Sequence, residues 1–587
     1  QGALTRNQAH GSPGNLLDLY AASDIPETEG TEISRSKWAA SAGHVAGRRL
    51  IAAEAATWLG EHFRSTLADI RANVDRFFVA GVNHIVYHGT AASPASAAWP
   101  GWLFYASVEL NDRNPWWHDL PALNQYVTRV QSFLQSGAPD HDVLLYYPFY
   151  DFVAKAGTGR LAHFGGANVP DGKSAFEAAR DLMQRRGFTY DFMSDRQLRD
   201  VRVEGGGLLT GGGARYKIVV LPESRYLPLE TLARVVEIAE QGASVVVVGD
   251  LSADVSGLAD QSRRRDQLRR LVAGISFGTP DARGVARASV GHGGILRGGD
   301  LEALLSESGI ARESLVDRGL EFARRRSAEG RFYFVSNSSP ADINGWVPLD
   351  GTAGQVVAHD PMRGGIAAAP IRSTTGAGLE VYLDLPAGES IVLSTRTGAV
   401  SEPARSSAVS GAAVAVDGPW TLRFVAGGPT LPAERTIDRL ASWTTFGGED
   451  VKAFSGTATY SARFPRPGGS ANLWRLDLGR VHESAHVRLN GHDLETLIGP
   501  HFRVTVSPEH LRASNLLEVR VTNLMANRIA ALDRSGVPWK TFYNVNFPSR
   551  LPENRGPDGL FTAARWEPMP SGLLGPVTLT PLRVGQP

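Results

Sequence analysis

The sequence predicts a multidomain chain, α/β in its first part and β in its last. Three observations carry that reading. Strand-like and helix-like stretches alternate over residues 1–137. Near-continuous apolar strands separated by helices follow over 138–351, the pattern of a sheet covered on both faces. From about residue 352 the hydrophobic period changes to two, with Gly, Pro and Asn between short runs.

In the first segment a short apolar run at Leu16–Tyr20 leads into DIPETEGTE, which reads as a polar turn. A strand is expected at Arg49–Ala53, ending on Glu54. Phe63, Leu67, Ile70, Val74 and Phe77 recur at three- and four-residue spacing and predict a helix from about His62 to Ala80. VNHIVYHG is a further strand, and a helix from Leu120 to Gly137 closes the segment. In the second segment DVLLYYPFYD, KIVVLPES, SVVVVGD and RFYFVSN are strands, with LETLARVVEIAEQG as a helix between two of them. QSRRRDQLRR reads as a solvated helix face and GGGLLTGGGARY as a linker, since it lacks the GK[ST] ending of a phosphate loop. A small β segment at 352–417 and a β-sandwich at 418–587 complete the division.

Composition narrows the function. Sixty basic and sixty acidic residues balance, which argues against a nucleic-acid partner. The absence of cysteine removes disulfides, thiolate nucleophiles and Cys-ligated metals, and fits either redox compartment. Apolar runs stay below the 18 or so residues of a membrane span. The N-terminal QGALTRNQAHG has neither the basic start nor the apolar run of a signal peptide, and it opens on Gln, so a preceding segment is expected.

The chemistry concentrates before residue 137. Glu27 and Glu29, two apart in an extended stretch, point the same way. Glu54 ends a strand, His84 and His88 frame HIVYH around Tyr87, and Glu109 follows the aromatic cluster WPGWLFYASVE. Ligands of βα architectures bind at the carboxyl ends of strands. Carboxylates and imidazoles there, beside Trp58 and Trp102, make a polar cleft with aromatic walls, which suits a sugar. Paired carboxyls perform acid–base work on a glycosidic bond. Asp24, Glu27 and Glu29 also offer an oxygen-rich calcium site. No Walker sequence is present.

RNQAHGSPGNLLDLYAASDIPETEG, LIAAEAATWLGEHF, VNHIVYHGT and WPGWLFYASVELNDRNPWW resemble the catalytic region of the bacterial α-L-rhamnosidases of glycoside hydrolase family 106. DVLLYYPFYD, GFTYDFMSDRQL, ASWTTFGGEDVKAFSGTATYSARF, VHESAHVRLNG and SGLLGPVTL continue the resemblance over nearly the whole chain. It implies a calcium-assisted, exo-acting enzyme, exported to the periplasm or beyond, that releases terminal α-L-rhamnose with inversion by paired glutamates. It implies a part of a (β/α)8-type barrel, a flavodoxin-like or amidotransferase-like α/β domain and a galactose-binding-like sandwich. Glu54 is then the general base. The acid is Glu27, Glu29 or a residue upstream of Gln1, and His88, His84, Tyr87, Trp58, Trp102 and Glu109 bind substrate. A whole barrel takes about 250 residues, so an upstream segment or second chain is expected to complete this one. Two alternatives stand beside it. One is a retaining glycosidase of β-galactosidase-like type. The other is a non-catalytic carbohydrate-binding protein that uses Trp420, Trp443, Trp474 and Trp539.

Overall fold

The computed structural model describes residues 2–154, 174–252, 254–374, 378–397, 406–469, 471–542, 549 and 551–585. The first part is a four-stranded parallel sheet of β1 (Arg6–Gln8), β2 (Ile25–Glu29), β3 (Ala52–Ala55) and β4 (His84–Tyr87), in that spatial order. Helices α1 (Leu16–Ala21), α2 (Ile33–Val45) and α3 (Leu67–Ala80) make the crossovers, and α4 (Leu120–Leu134) follows β4. Parallel neighbours require such crossovers, so helices coat the outer face. The DIPETEGTE stretch is therefore a strand rather than a turn. Ile25, Glu27 and Glu29 alternate with Pro26 and Thr28, and the polar set faces the inner side of the sheet.

Helix α3 starts at Leu67, later than periodicity suggested, because Thr66 and Asp69 form a reciprocal capping box there. It ends on Gly81, whose φ of 102° places the cap in the left-handed region. Helix α2 has no exposed face beyond its first turn: Ser36 to Val45 are all buried. It lies between β2 and the strand Tyr190–Met193 of the next sheet, so both of its sides are covered.

That next sheet has six strands in the order Ala286–Val290, Gly293–Gly298, Ser244–Val248, Ile218–Leu221, Val143–Tyr146, Tyr190–Met193. All pairs are parallel except the first. Taken in chain order, the parallel strands run 2-1-3-4-5, a doubly wound order. The glycine-rich stretch after Glu204 contains a short hairpin, Gly207–Leu209 paired with Arg215–Tyr216. Thr210 at its turn donates to Val45 O at the end of α2.

RFYFVSN does not join this parallel sheet. As Arg331–Ser336 it sits in an antiparallel sheet with Glu321–Arg326, Ser390–Arg396, Gln355–His359, Ile366–Ala369 and Ala138–Pro139. This sheet takes strands from both sides of residue 351, where the change of period begins. It packs on α3 and α4 through Ala323, Phe334 and Val392.

The last part is two facing antiparallel sheets. One contains Trp420–Gly428, Ser455–Pro465 and Ser514–Thr522, the other Leu473–Asp477, Arg503–Val506 and Thr578–Gly585. Their inward residues, including Leu422, Tyr460, Leu476 and Leu579, share one core. Trp420, Trp443 and Trp474 belong to that core and are at most 3% exposed. Trp539 is buried against Phe63 and Phe561 beneath the loops of the first sheet. None of these four indoles offers a surface for sugar: Trp420 and Trp474 turn inward from strands, and Trp443 and Trp539 are buried from segments outside the strands.

Candidate active site

The register of the first sheet decides which side chains meet. Gln8 pairs with Glu27, Glu27 with Ala52 and Ala52 with His84, so these form one lateral row. Glu29, Glu54 and Val86 form the next row toward the carboxyl ends. Period-two alternation puts both rows, with Arg6, on one face. The opposite face carries Ala53, Ala55, Ile85 and Tyr87 and packs into the apolar core.

Glu54 stands at the centre of the polar face. Gln8 Nε2 donates to Glu54 Oε2 at 2.6 Å and to Glu27 Oε1 at 3.2 Å. His88 Nδ1 lies 2.8 Å from Glu54 Oε1. Thr57 donates to His88 O, and the ring of Phe104 meets the imidazole edge-on at 4.8 Å. Arg6 Nε pairs with Glu27 Oε2 at 3.0 Å, and His10 Nε2 with Glu29 Oε1 at 3.2 Å. Glu29 and Glu54 are register partners on neighbouring strands, so their carboxyl groups lie side by side on this face. The bond from His10 holds the Glu29 carboxyl below the usual carboxylate range, against a smaller opposing effect of burial. Burial, with Arg6 nearby, lowers His84.

The sheet thus gathers Glu27, Glu29, Glu54, His84 and His88 at one face, and it places Asp24, Tyr87 and Glu109 elsewhere. Asp24 sits just before β2, at the opposite end of the strand from Glu29, and accepts from Thr5 N and Oγ1. Glu27 is already matched by a guanidinium and an amide, and Glu29 by an imidazole, so these three carboxylates do not form the six- to eight-oxygen shell that calcium takes. Tyr87 falls on the core-facing side, where burial raises its phenol. Glu109 is fully buried behind Phe104, whose N–H reaches its Oε2 at 3.4 Å, and burial pushes its carboxyl well up. It supports the loop rather than lining the cleft.

Trp58 donates to Ser65 Oγ at 3.1 Å and leans on the apolar core. Trp102 lies in a two-residue strand paired with Thr541. Tyr105, 38% exposed, presents the open aromatic surface nearest His88, at 6.4 Å between rings.

Arg6, Gln8 and His10 were missed by the sequence reading. Their signal is a period-two polar alternation in RNQAH, too short to stand out without a partner strand. A second group was also missed: His44, His141 and Asp191, among the described residues the one cluster of His and acidic side chains close enough to hold a metal ion.

The geometry is that of a carboxylate at a strand end with imidazoles beside it. Residues 15–345 match the family model Glyco_hydro_106, described as alpha-L-rhamnosidase. The chain belongs to glycoside hydrolase family 106. Its fold is similar to that of a rhamnosidase from Novosphingobium sp. PP1Y, with a TM-score of 0.78, 25% identity, and coverage of 96% of this chain and 52% of that one. It is also 26% identical over 306 residues to a Formosa agariphila protein named "Putative beta-glucuronidase", across 51% of this chain and 23% of that protein. The chain therefore spans about half the length of the Novosphingobium rhamnosidase and under a quarter of the Formosa protein.

Proposed function

We propose that this chain carries the general-base half of an exo-acting α-L-rhamnosidase that inverts the anomeric centre. The observation that supports it most is the placement of Glu54, one oxygen held by Gln8 and the other by His88, at the carboxyl end of β3. Each oxygen keeps a lone pair beyond its hydrogen bond. Glu54 takes a proton from a water that attacks the anomeric carbon, and His88, half exposed, orients that water or a sugar hydroxyl. Glu29, kept charged by His10, stands beside Glu54 and favours the proton that Glu54 gains.

The proton donor lies outside this group. An inverting pair stands roughly 6.5–9.5 Å apart on opposite faces of the sugar. Glu29 is the register partner of Glu54 on the neighbouring strand, and one amide nitrogen bridges Glu27 to Glu54, so both stand beside Glu54 on the same face. The reading takes the four strands as part of a (β/α)8-type barrel, with the remaining strands pairing beyond β1 and β4. It takes a rhamnose-containing glycan or glycoside as substrate and the periplasm or the outside of the cell as the setting. The reaction is written without calcium, for which the residues expected to bind it make no shell.

The test is a panel of 4-nitrophenyl glycosides: α-L-rhamnoside, β-D-glucuronide and β-D-galactoside. A nitrophenolate departs with little protonation, so the assay reads the base even where the acid is remote. Release from the rhamnoside alone is the expected result. Release from the glucuronide or galactoside instead would replace the reading with the retaining alternative.

A further inference from the structure

The buried cluster missed in the sequence has no part in the chemistry above. Asp191, in the strand Tyr190–Met193 of the doubly wound sheet, is fully buried. Four groups converge on its carboxylate. His141 Nδ1 lies 2.6 Å and Tyr216 Oη 2.8 Å from Oδ2, while His44 Nδ1 lies 3.1 Å and Lys37 Nζ 3.5 Å from Oδ1. Lys37 and His44 come from α2; the other two come from the α/β part. The cluster therefore bridges the sheet that carries Glu54 and the sheet behind it.

Charge decides what the cluster holds. With Lys37 charged and the imidazoles neutral, one anion meets one cation and the buried sum is zero. A divalent metal would leave a net positive charge beside a buried ammonium, which a low-dielectric interior opposes. All four neighbours moreover direct donors at one acceptor, the arrangement of a hydrogen-bond hub. Among the described residues His44 Nε2 is buried without a hydrogen-bond partner, so the cluster has no further group beyond that ring. Other charges nearby are already engaged. Asp142, next to His141, faces Lys217 and Arg324 at 3.0 Å each, and Arg180, beside Tyr190, pairs with Asp181. Lys37 also sits over the Tyr190 ring at 4.9 Å.

Helix α2 transmits whatever happens there. A Cβ on Gly43 would stand 2.8 Å from Ile51 and 3.2 Å from Pro26, so α2 presses directly on β2 and on the residue before β3. Strand β2 bears Glu27 and Glu29.

We propose that Asp191 is a proton-operated latch, which holds α2 against the α/β sheet while His141 is neutral and loosens it when His141 is charged. The direction of titration agrees. Burial lowers His141 from 6.5 to about 4, so the unfolded or loosened state takes up a proton first as pH falls through that window.

Hydrogen exchange on the whole chain tests this, with rates corrected for the intrinsic pH dependence. Between pH 6.5 and about 4 the amides of α2 should open up to about tenfold more readily per pH unit, one proton's worth of linkage, while those of α3 stay unchanged. His141→Gln keeps a donor to Asp191 but does not titrate, and should flatten that dependence. Asp191→Asn should raise α2 exchange already at neutral pH. Unchanged α2 exchange across the window would overturn the proposal, as would a His141→Gln variant with the wild-type slope. Protection of α2 by added zinc ions would overturn it in favour of a metal site. None of these readings involves substrate, so they stand apart from the rhamnosidase assignment.

Discussion

Glu29 and Glu54 are register partners on neighbouring parallel strands, and both point to the polar face of the sheet. That places both acids on one side of the cleft. Acids so placed do not flank a glycosidic bond from opposite faces of the sugar.

If Glu54 is a base on the water side, a smaller nucleophile should replace its service. Glu54→Ala should lose roughly 100- to 10,000-fold in kcat on a nitrophenyl α-L-rhamnoside. Millimolar azide should restore turnover and give the glycosyl azide of inverted configuration. Failure of azide to rescue a folded variant that still binds rhamnose would count against the role.

Removing His10 should release Glu29. The group is depressed in the folded protein, so the interaction contributes stability above the ordinary carboxylate value and loses it as pH falls through the folded one. In His10→Ala the carboxyl titration of Glu29, followed by carbon NMR, should therefore move up toward 4.5. An unmoved titration would show that another group charges Glu29.

Asp75 of α3 offers the opposite sign. Burial pushes it up to about 6 from 3.8, with Arg71 and a bond from Tyr126 opposing. The folded state holds the proton longer, so this residue costs stability as pH rises from about 4 to 6. Asp75→Asn keeps an acceptor for Tyr126. Relative to wild type, its unfolding free energy should improve over that interval by at most roughly 3 kcal/mol. A gap that stays constant with pH would contradict the assignment.

Trp443 tests the binding-module alternative. It is fully buried between Phe424 and Phe454. Trp443→Ala should cost about 3–5 kcal/mol in unfolding free energy. Where the variant remains folded, its affinity for oligosaccharide should equal that of wild type. A selective loss of sugar binding with intact stability would restore the lectin-like reading.

How far the sequence led can be argued from particular residues. Glu54 was legible because an acid ending an apolar strand is unusual and strand ends are where βα folds bind ligands. The body of α3 was legible from its spacing. Its start was not, although Thr66 and Asp69 stand in the order of a capping box. Strand β1 was invisible, since three polar residues have no periodicity of their own and become a strand only by pairing with β2. Glu27 and Glu29 looked like turn residues because the inner face of this sheet is polar, which inverts the usual signal. Asp191, His44 and His141 lie far apart in the chain, and only the packing of α2 between two sheets brings them together.

The most direct measurement follows the product by proton NMR in the first seconds of turnover, for the wild-type chain and Glu54→Gln on 4-nitrophenyl α-L-rhamnoside. The account predicts that β-L-rhamnose appears first with the wild type, and that the variant binds rhamnose without measurable release. First appearance of α-L-rhamnose, or full activity in Glu54→Gln, would contradict it.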